Sequence, residues 1–305
     1  MEERSVSTHL ISTPRVLATA ETDNLSGKIQ WDSGKSLFYI TMMVTGLAAV
    51  PFAGLRDWLV FFGFTGTTIL MGHSVGMHRL LIHRAFETPR WLEYTLVYLG
   101  VLVGMAGPFG MIRQHDMRDW HQRQHRCPAF PSHGAGFLQD GYWQLHCRFE
   151  LDKPPAFRIE PEIAQSRFYS FLERTWMLQQ LPPAVVLYLV GGLPMAGLCI
   201  GLRVFISLTG HWIVGHFAHK RGQQPWVIEG LPVQGYNLPY LSWITFGENW
   251  HGNHHAYPES AILGFGSKQN DPGFAFIKTL ECFGLTWGIK RPEDCDERNG
   301  LKRVL

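Results

Sequence analysis

The chain has 305 residues, of which 46% are hydrophobic and 17% charged, against about 25% charged in an ordinary soluble domain. That deficit excludes a disordered chain and argues against a purely soluble globule. Twenty-seven basic and 25 acidic residues leave a formal net charge of +2, which gives no electrostatic reason to expect nucleic acid as a partner.

The first thirty residues are polar and mixed in charge, with no basic start leading into an apolar run. We expect no cleavable signal peptide, and a loose cytoplasmic tail over 1–34. A membrane-crossing helix takes about 20 apolar residues. The stretch 36–55 is uncharged, and a second apolar run, 58–71, leads into the histidine-bearing segment 72–83. The run 94–112 is uncharged and long enough, but Gly104, Gly107, Pro108 and Gly110 spoil its second half as a helix. A span there would also put the histidines before and after it on opposite sides, so we place it on the cytoplasmic leaflet. Between Arg174 and Arg203 lie 28 uncharged residues. A Gly-Gly-Leu-Pro turn at 191–194 divides this region into helices at about 176–191 and 195–218. Arg203 falls inside the second of them and must snorkel or pair within the bundle. The short loops on one side carry almost no Lys or Arg, so the rest faces the cytoplasm. The expected fold is an all-α membrane protein, four transmembrane helices with a cytoplasmic cap. Residues 35–275 form the membrane domain, and 276–305 a cytoplasmic C-terminal segment with a charged, exposed end. The five Cys show no C-x-x-C pair and read as reduced structural thiols.

Fourteen of the fifteen His lie between His73 and His255; His9 reads as solvated. H-R-L-L-I-H carries His78 and His83 where the second span ends. G-E-N-W-H-G-N-H-H carries His251, His254 and His255 at i, i+3, i+4, which on a helix share a face, so three imidazoles are expected to converge. Neutral imidazole is the commonest metal ligand. Between these boxes, His115, Arg118 and Asp119 repeat the spacing, and only His115 and Asp119 can bind metal. His121 and His125 offer an alternative pair. His219, at the boundary of the fourth span, is placed to join. His211 lies deeper and is a candidate supporting or tunnel residue. His73 and His216 read as packing residues and His146 as a surface residue. The candidate ligands are therefore His78, His83, His115, Asp119, His219, His251, His254 and His255. One zinc takes about four ligands, so eight nitrogen and oxygen ligands without Cys imply two metals and argue against an iron–sulfur cluster.

These motifs resemble the membrane-bound fatty acid desaturases of the acyl-CoA and acyl-lipid delta-9 type. The resemblance rests on G-H-S-V-G-M-H-R-L-L-I-H-R-A-F, W-I-V-G-H-F-A-H and G-E-N-W-H-G-N-H-H-A-Y-P and covers roughly 35–275. It implies four membrane helices under a cytoplasmic cap, two irons held by the histidine boxes, and dioxygen as co-substrate. The implied reaction places a cis double bond in a long acyl chain. The family's second box reads H-x-x-H-H, whereas Arg118 and Asp119 follow His115 here. A register on His115 keeps a ligand-capable residue at both ends of the helical face; a register on His121 and His125 is the alternative. The family also has an Asn four residues before the extra His, where this chain has Gly215.

An unactivated methylene needs a redox metal, since no side chain is a strong enough oxidant. Glu248, Asn249, Asp116 and His133 are candidates to orient the ligand imidazoles. The substrate is expected to be a long acyl chain on CoA, acyl carrier protein or a lipid, in an apolar tunnel. Trp120, Trp143, Trp212 and Trp250 are candidate walls, and Arg113, Lys220 and Arg221 candidate head-group contacts or interface anchors. Electrons are expected from a separate donor such as a ferredoxin or a cytochrome b5-like protein. The expected setting is a bacterial inner membrane with the active site facing the cytoplasm. A di-iron membrane hydroxylase or other lipid oxygenase is the alternative, and a non-enzymatic membrane protein the second.

Overall fold

A computed structural model of the chain describes residues 10–304, which leaves His9 outside. Helix α1 (Ser33–Ala49) starts where Asp32 Oδ1 accepts the amide of Lys35 at 3.0 Å, an N-cap that satisfies a donor the helix leaves free. Helix α2 (Leu55–Thr67) opens with Asp57 accepting from Gly54 N at 2.8 Å. It continues without a break into a π-helical segment, Thr68–Ile82. Then follow α3 (Arg90–Leu102), α4 (Pro108–Gln122), α5 (Phe137–His146), α6 (Pro161–Ala164), α7 (Arg167–Thr175) and α8 (Leu181–Ala196). A π-helical turn, Gly197–Leu202, joins α8 to α9 (Arg203–Ala218); α10 (Ser242–Thr245), α11 (His251–Ala256) and α12 (Pro272–Cys282) complete the helices.

Among the described residues three helical segments are long and apolar enough to cross a membrane: Ser33–Phe52, Leu55–Ile82 and Leu178–Ala218. Leu37, Val44 and Leu47 on α1, Leu59 and Phe62 on α2, and Leu189 and Leu193 on α8 are all exposed. Such an apolar outer surface suits lipid rather than water. The third segment is interrupted at Gly192, whose φ of +70° and ψ of −165° only glycine adopts without strain. The run 94–112 is not among these segments. Its α3 is 13 residues long, about 20 Å at 1.5 Å per residue, short of a hydrocarbon core of about 30 Å.

The π-helical segment is the centre of the fold. It packs on α3 so closely that a Cβ on Gly72 would lie 2.4 Å from the Leu99 carbonyl carbon. Its Met77, Leu81 and Ile82 share a core with Val97 and Val101 of α3, Ile112 of α4 and Leu172 of α7. Its Val75 and Leu80 share another with Ile277 of α12. Arg79, 1% exposed, bonds Asp271 Oδ1 at 2.8 Å and Ala261 O at 3.0 Å, tying the segment to the C-terminal third.

Three short antiparallel pairings correct the all-helical expectation. β1 (Val16–Leu17) pairs with β4 (Ala156–Phe157), β2 (Gly27–Trp31) with β3 (Cys147–Leu151), and β5 (Trp226–Ile228) with β6 (Leu301–Arg303). The loose N-terminal tail is thereby corrected for its described part. Arg15 is 8% exposed and binds Asp116, Glu160 and the carbonyl of Ile82. The C-terminal end is mostly exposed, as expected, but is not a free tail, because β6 is paired and Arg298 reaches inward to Asp119 at 3.3 Å. Both segments read as polar tails because their partners lie more than a hundred residues away for the first and seventy or more for the second.

Candidate metal centre

Helix pitch brings the first histidine pair together. His78 and His83 are five residues apart, which on an α-helix separates them by about 140°. In the π-helical geometry His83 N donates to His78 O at 3.1 Å. The wider turn sets residues five apart on one face, and the two rings meet with centroids 4.8 Å apart. Such π turns are rare and recur at functional sites. Helix α4 adds His115, whose Nε2 lies 3.2 Å from His83 Nε2. Helix α11 adds His254, with its ring 4.6 Å from His78 and 4.8 Å from His83. These four residues each present a ligand atom, all within 4.8 Å of one another.

A second group combines His219, just past α9, with His251 and His255 of α11. His251 Nε2 lies 3.0 Å from both His219 Nε2 and His255 Nε2. The third box is therefore shared out, which corrects the expectation that its three imidazoles meet at one point. Residues 251 and 255 are one turn apart and serve one group, while His254 serves the other. Helix α11 stands between them, with the His251 and His254 rings 5.8 Å apart.

The other ring nitrogens set the tautomers. His78 Nδ1 lies 2.6 Å from Glu248 Oε2, His115 Nδ1 2.9 Å from Asp116 Oδ1, and His219 Nδ1 3.2 Å from Gln234 O. The Asp116 carboxylate and the Gln234 carbonyl each take an Nδ1 proton and leave a lone pair on Nε2, whereas Glu248 stands at ion-pair distance from His78 Nδ1 without a hydrogen bond to it. Gln122 Nε2, 3.2 Å from His219 Nε2, fits that tautomer as a donor to the lone pair. Burial first, then neighbouring imidazoles, holds His83, His219, His254 and His255 well below the usual histidine range and His251 at about 3. These rings are neutral at physiological pH and ready to donate. Nitrogens 3.0–3.2 Å apart match two ligands at right angles about 2.1 Å from one ion, which lie about 3.0 Å apart. His254 Nδ1 is buried without a hydrogen-bond partner. An all-nitrogen, sulfur-free donor set of this kind fits two first-row divalent ions.

Asp119 stands outside both groups, a correction to its candidacy as a ligand. Its Oδ2 lies 2.6 Å from Arg123 Nε and its Oδ1 3.3 Å from Arg298 Nη2. Burial opposes its ionisation, but the two guanidiniums hold its pKa below the usual carboxylate value. His125 also stands apart, with Nδ1 3.2 Å from Gly230 O. Asp116 and Glu248 lie against His115 and His78, whereas Asn249 bonds Leu238 O and Thr245 and touches none of the grouped imidazoles. His211 meets His73 edge to face at 5.1 Å. His133 belongs to a third buried cluster, in which Asp140 Oδ2 accepts from His133 Nδ1 at 2.9 Å, Trp212 Nε1 at 2.9 Å and His216 Nδ1 at 2.7 Å. Three donors saturate that oxygen, so this cluster is a hydrogen-bonded hub. Its His133 ring lies parallel to that of His219, 5.5 Å away.

No family model matches the chain. It is 30% identical over 222 residues to the sn-2 palmitoyl-lipid 9-desaturase of Nostoc sp. (strain 36), covering 70% of this chain and 75% of that protein. The chain belongs to the fatty acid desaturase family. It is also 28% identical over 243 residues to the acyl-CoA C20 Delta5-desaturase of Anemone leveillei, covering 80% of this chain and 77% of that one. With the palmitoyl-monogalactosyldiacylglycerol delta-7 desaturase of Arabidopsis thaliana it shares 29% over 273 residues, 88% of this chain and 71% of that one. This desaturase is accordingly an oxidoreductase of lipid metabolism and a membrane protein.

The desaturase has a partly open cavity of about 590 Å³ whose wall includes His133, the ring stacked on His219, in the range of small-molecule sites. Phe38, Tyr39, Trp176, Leu208 and Trp212 form its apolar part. Of the four tryptophans nominated from sequence only Trp212 lines it. Trp120 and Trp250 instead bond Ile11 O and Asn270 O at 2.7 Å, and Trp143 packs near Phe130. Trp176 was missed because nothing in its neighbourhood marks it. Lys220 and Arg221 are engaged elsewhere, on Ala135 O and over the Phe217 ring.

Proposed function

We propose that this protein is a di-iron, oxygen-dependent desaturase that places a cis double bond in a long acyl chain. His78, His83, His115 and His254 would hold one iron, and His219, His251 and His255 the other. One observation carries the reading: seven imidazoles from four separate segments meet in two adjoining groups, and His219 of the second stacks on His133, which lines a cavity of about 590 Å³. When bound, iron with dioxygen supplies the oxidant that a methylene C–H requires. Asp116 and the Gln234 carbonyl fix the tautomers of His115 and His219 that present Nε2, and the Glu248 carboxylate lies against His78 Nδ1. The apolar walls hold the chain in register and keep water from the site. Position nine for the double bond is part of this proposal; the relatives named above act at positions 5, 7 and 9.

In the same reading, the break at Gly192 folds the third apolar segment into two crossings, for four in all. Leu187 joins the apolar cluster of Met195, Leu198, Cys199, Leu202 and Phe61, as a folded-back limb would. An even number of crossings leaves α4, α11 and the C-terminal segment on one side, the cytoplasm by the distribution of Lys and Arg. A bacterial inner membrane and a separate electron donor of the ferredoxin or cytochrome b5 kind complete the proposal. The test is lipid profiling by mass spectrometry after expression in a host lacking its own desaturase. A new cis-monoenoic acyl chain is expected, and its position is read directly. An oxygenated product without an olefin would replace this reading with a hydroxylase.

A further inference from the structure

The cavity carries charge that the acyl chain does not explain. Lys35 and Arg118 both line it. Among the described residues neither has a carboxylate within ion-pair distance, whereas Arg148, also on the wall, is paired with Glu150 at 2.7 Å. Lys35 Nζ donates to Cys147 O at 3.0 Å. Arg118 donates to His133 Nε2 and, at 2.6 Å, to Gln144 Oε1. Both cations therefore hydrogen-bond neutral acceptors, with Asp140 one ring behind His133 and Asp32 on the wall near Lys35; Lys35, Arg113, Arg118 and Arg148 still outnumber Asp32 and Glu150 there. Cations withdrawn from water without a direct counter-charge are costly and persist where an anion completes them. Through His133, parallel to His219, Arg118 lies beside the second histidine group. It stands in the box where the sequence alone suggested a ligand.

We propose that the cavity is a receptor for an anionic acyl amphiphile, whose oxyanion sits between Lys35 and Arg118 beside the second histidine group. The proposal rests on the acyl-substrate reading above and adds the charge of the substrate's polar end. A guanidinium and an ammonium across one cavity suit a carboxylate or a lipid phosphate alike. A neutral ester or galactolipid leaves both cations unpaired.

The test measures binding without metal, by quenching of tryptophan fluorescence, because Trp176 and Trp212 line the cavity. Iron-free full-length protein in neutral detergent is titrated with 9,10-dibromostearate, its methyl ester, its CoA thioester and the matching lysophosphatidate. An anionic probe should bind about tenfold or more tighter than the methyl ester, the worth of one charge-assisted hydrogen bond. Whichever of carboxylate and phosphate binds tighter names the source. In Arg118→Gln and Lys35→Met that preference should shrink to about threefold or less, and Arg118→Lys should restore part of it. Methyl-ester affinity should change less than free-acid affinity in each, and an unchanged thermal unfolding midpoint reports an intact fold. The CoA phosphates lie a pantetheine arm from the acyl group, so the thioester should be little affected. Equal affinity for acid and methyl ester, or an anion preference that survives both variants, overturns the proposal. A thioester that loses as much as the free acid overturns the placement of the oxyanion inside the cavity. No product is measured, so this readout stands or falls separately from the desaturase chemistry.

Discussion

Glu248 is the point at which one atom-level change should be felt by one metal site and not the other. Its Oε2 lies 2.6 Å from His78 Nδ1, and its Oε1 accepts from Ser74 Oγ at 2.6 Å. Burial works against its charge, but His78 and Arg79 outweigh that and hold its pKa below the usual carboxylate range. Glu248→Gln keeps the shape and removes the charge. The Gln oxygen can still lie against His78, and the Ser74 hydroxyl can turn to accept from the new amide. Arg79 keeps Asp271 at 2.8 Å, so the fold should survive. The loss is of ligand basicity at His78, and partners of this kind are worth about 10–100-fold in metal affinity, or about 1.4–2.7 kcal/mol at 1.36 kcal/mol per decade. Anaerobic Fe(II) titration against a competing chelator should resolve two binding events in the parent protein. In the variant one event should weaken by that factor while the other stays, because Glu248 touches only the first group. Both events unchanged within about twofold would refute the role given to this carboxylate.

His254→Ala should abolish olefin formation and lower iron content while the protein remains in the membrane fraction, as measured by lipid profiling and metal analysis. Full activity would remove His254 from the ligand set. Asp119→Asn should loosen the C-terminal segment at a cost of about 1.5–3 kcal/mol, the worth of hydrogen bonds between charged groups, read as faster proteolysis of 291–304. Asp119 titrates lower folded than unfolded, so its stabilisation is present at neutral pH and is lost as pH falls below about 4. Thermal unfolding against pH should show that acid loss in the parent and a smaller one in the variant. Gly72→Ala puts a Cβ 2.4 Å from the Leu99 carbonyl carbon. It should destabilise by about 1–3 kcal/mol and reduce iron binding, because the displaced segment carries His78.

Sequence by itself determined the chemistry and much of the architecture. Runs of uncharged residues marked the apolar segments, because a charge in lipid is costly wherever the chain folds. The Gly-Gly-Leu-Pro turn marked the break found at Gly192, because backbone conformation there is a local property. The histidines named a nitrogen-ligated metal centre, because few other residues donate so well at neutral pH. Only the tertiary structure decided how those histidines are shared. The i, i+5 spacing of His78 and His83 is unreadable while an α-helical pitch is assumed, and the π-helical turn depends on the packing of α3 and α12 against it. The division of His251, His254 and His255 follows from α11 lying between two groups supplied by distant segments. Asp119 looked like a ligand until Arg298, 179 residues away, claimed it. That Lys35 and Arg118 share one cavity follows only from α1 and α4 closing on it. Ligand type is written in side-chain chemistry, whereas ligand sharing and counter-charge are set by contacts between segments far apart in the chain.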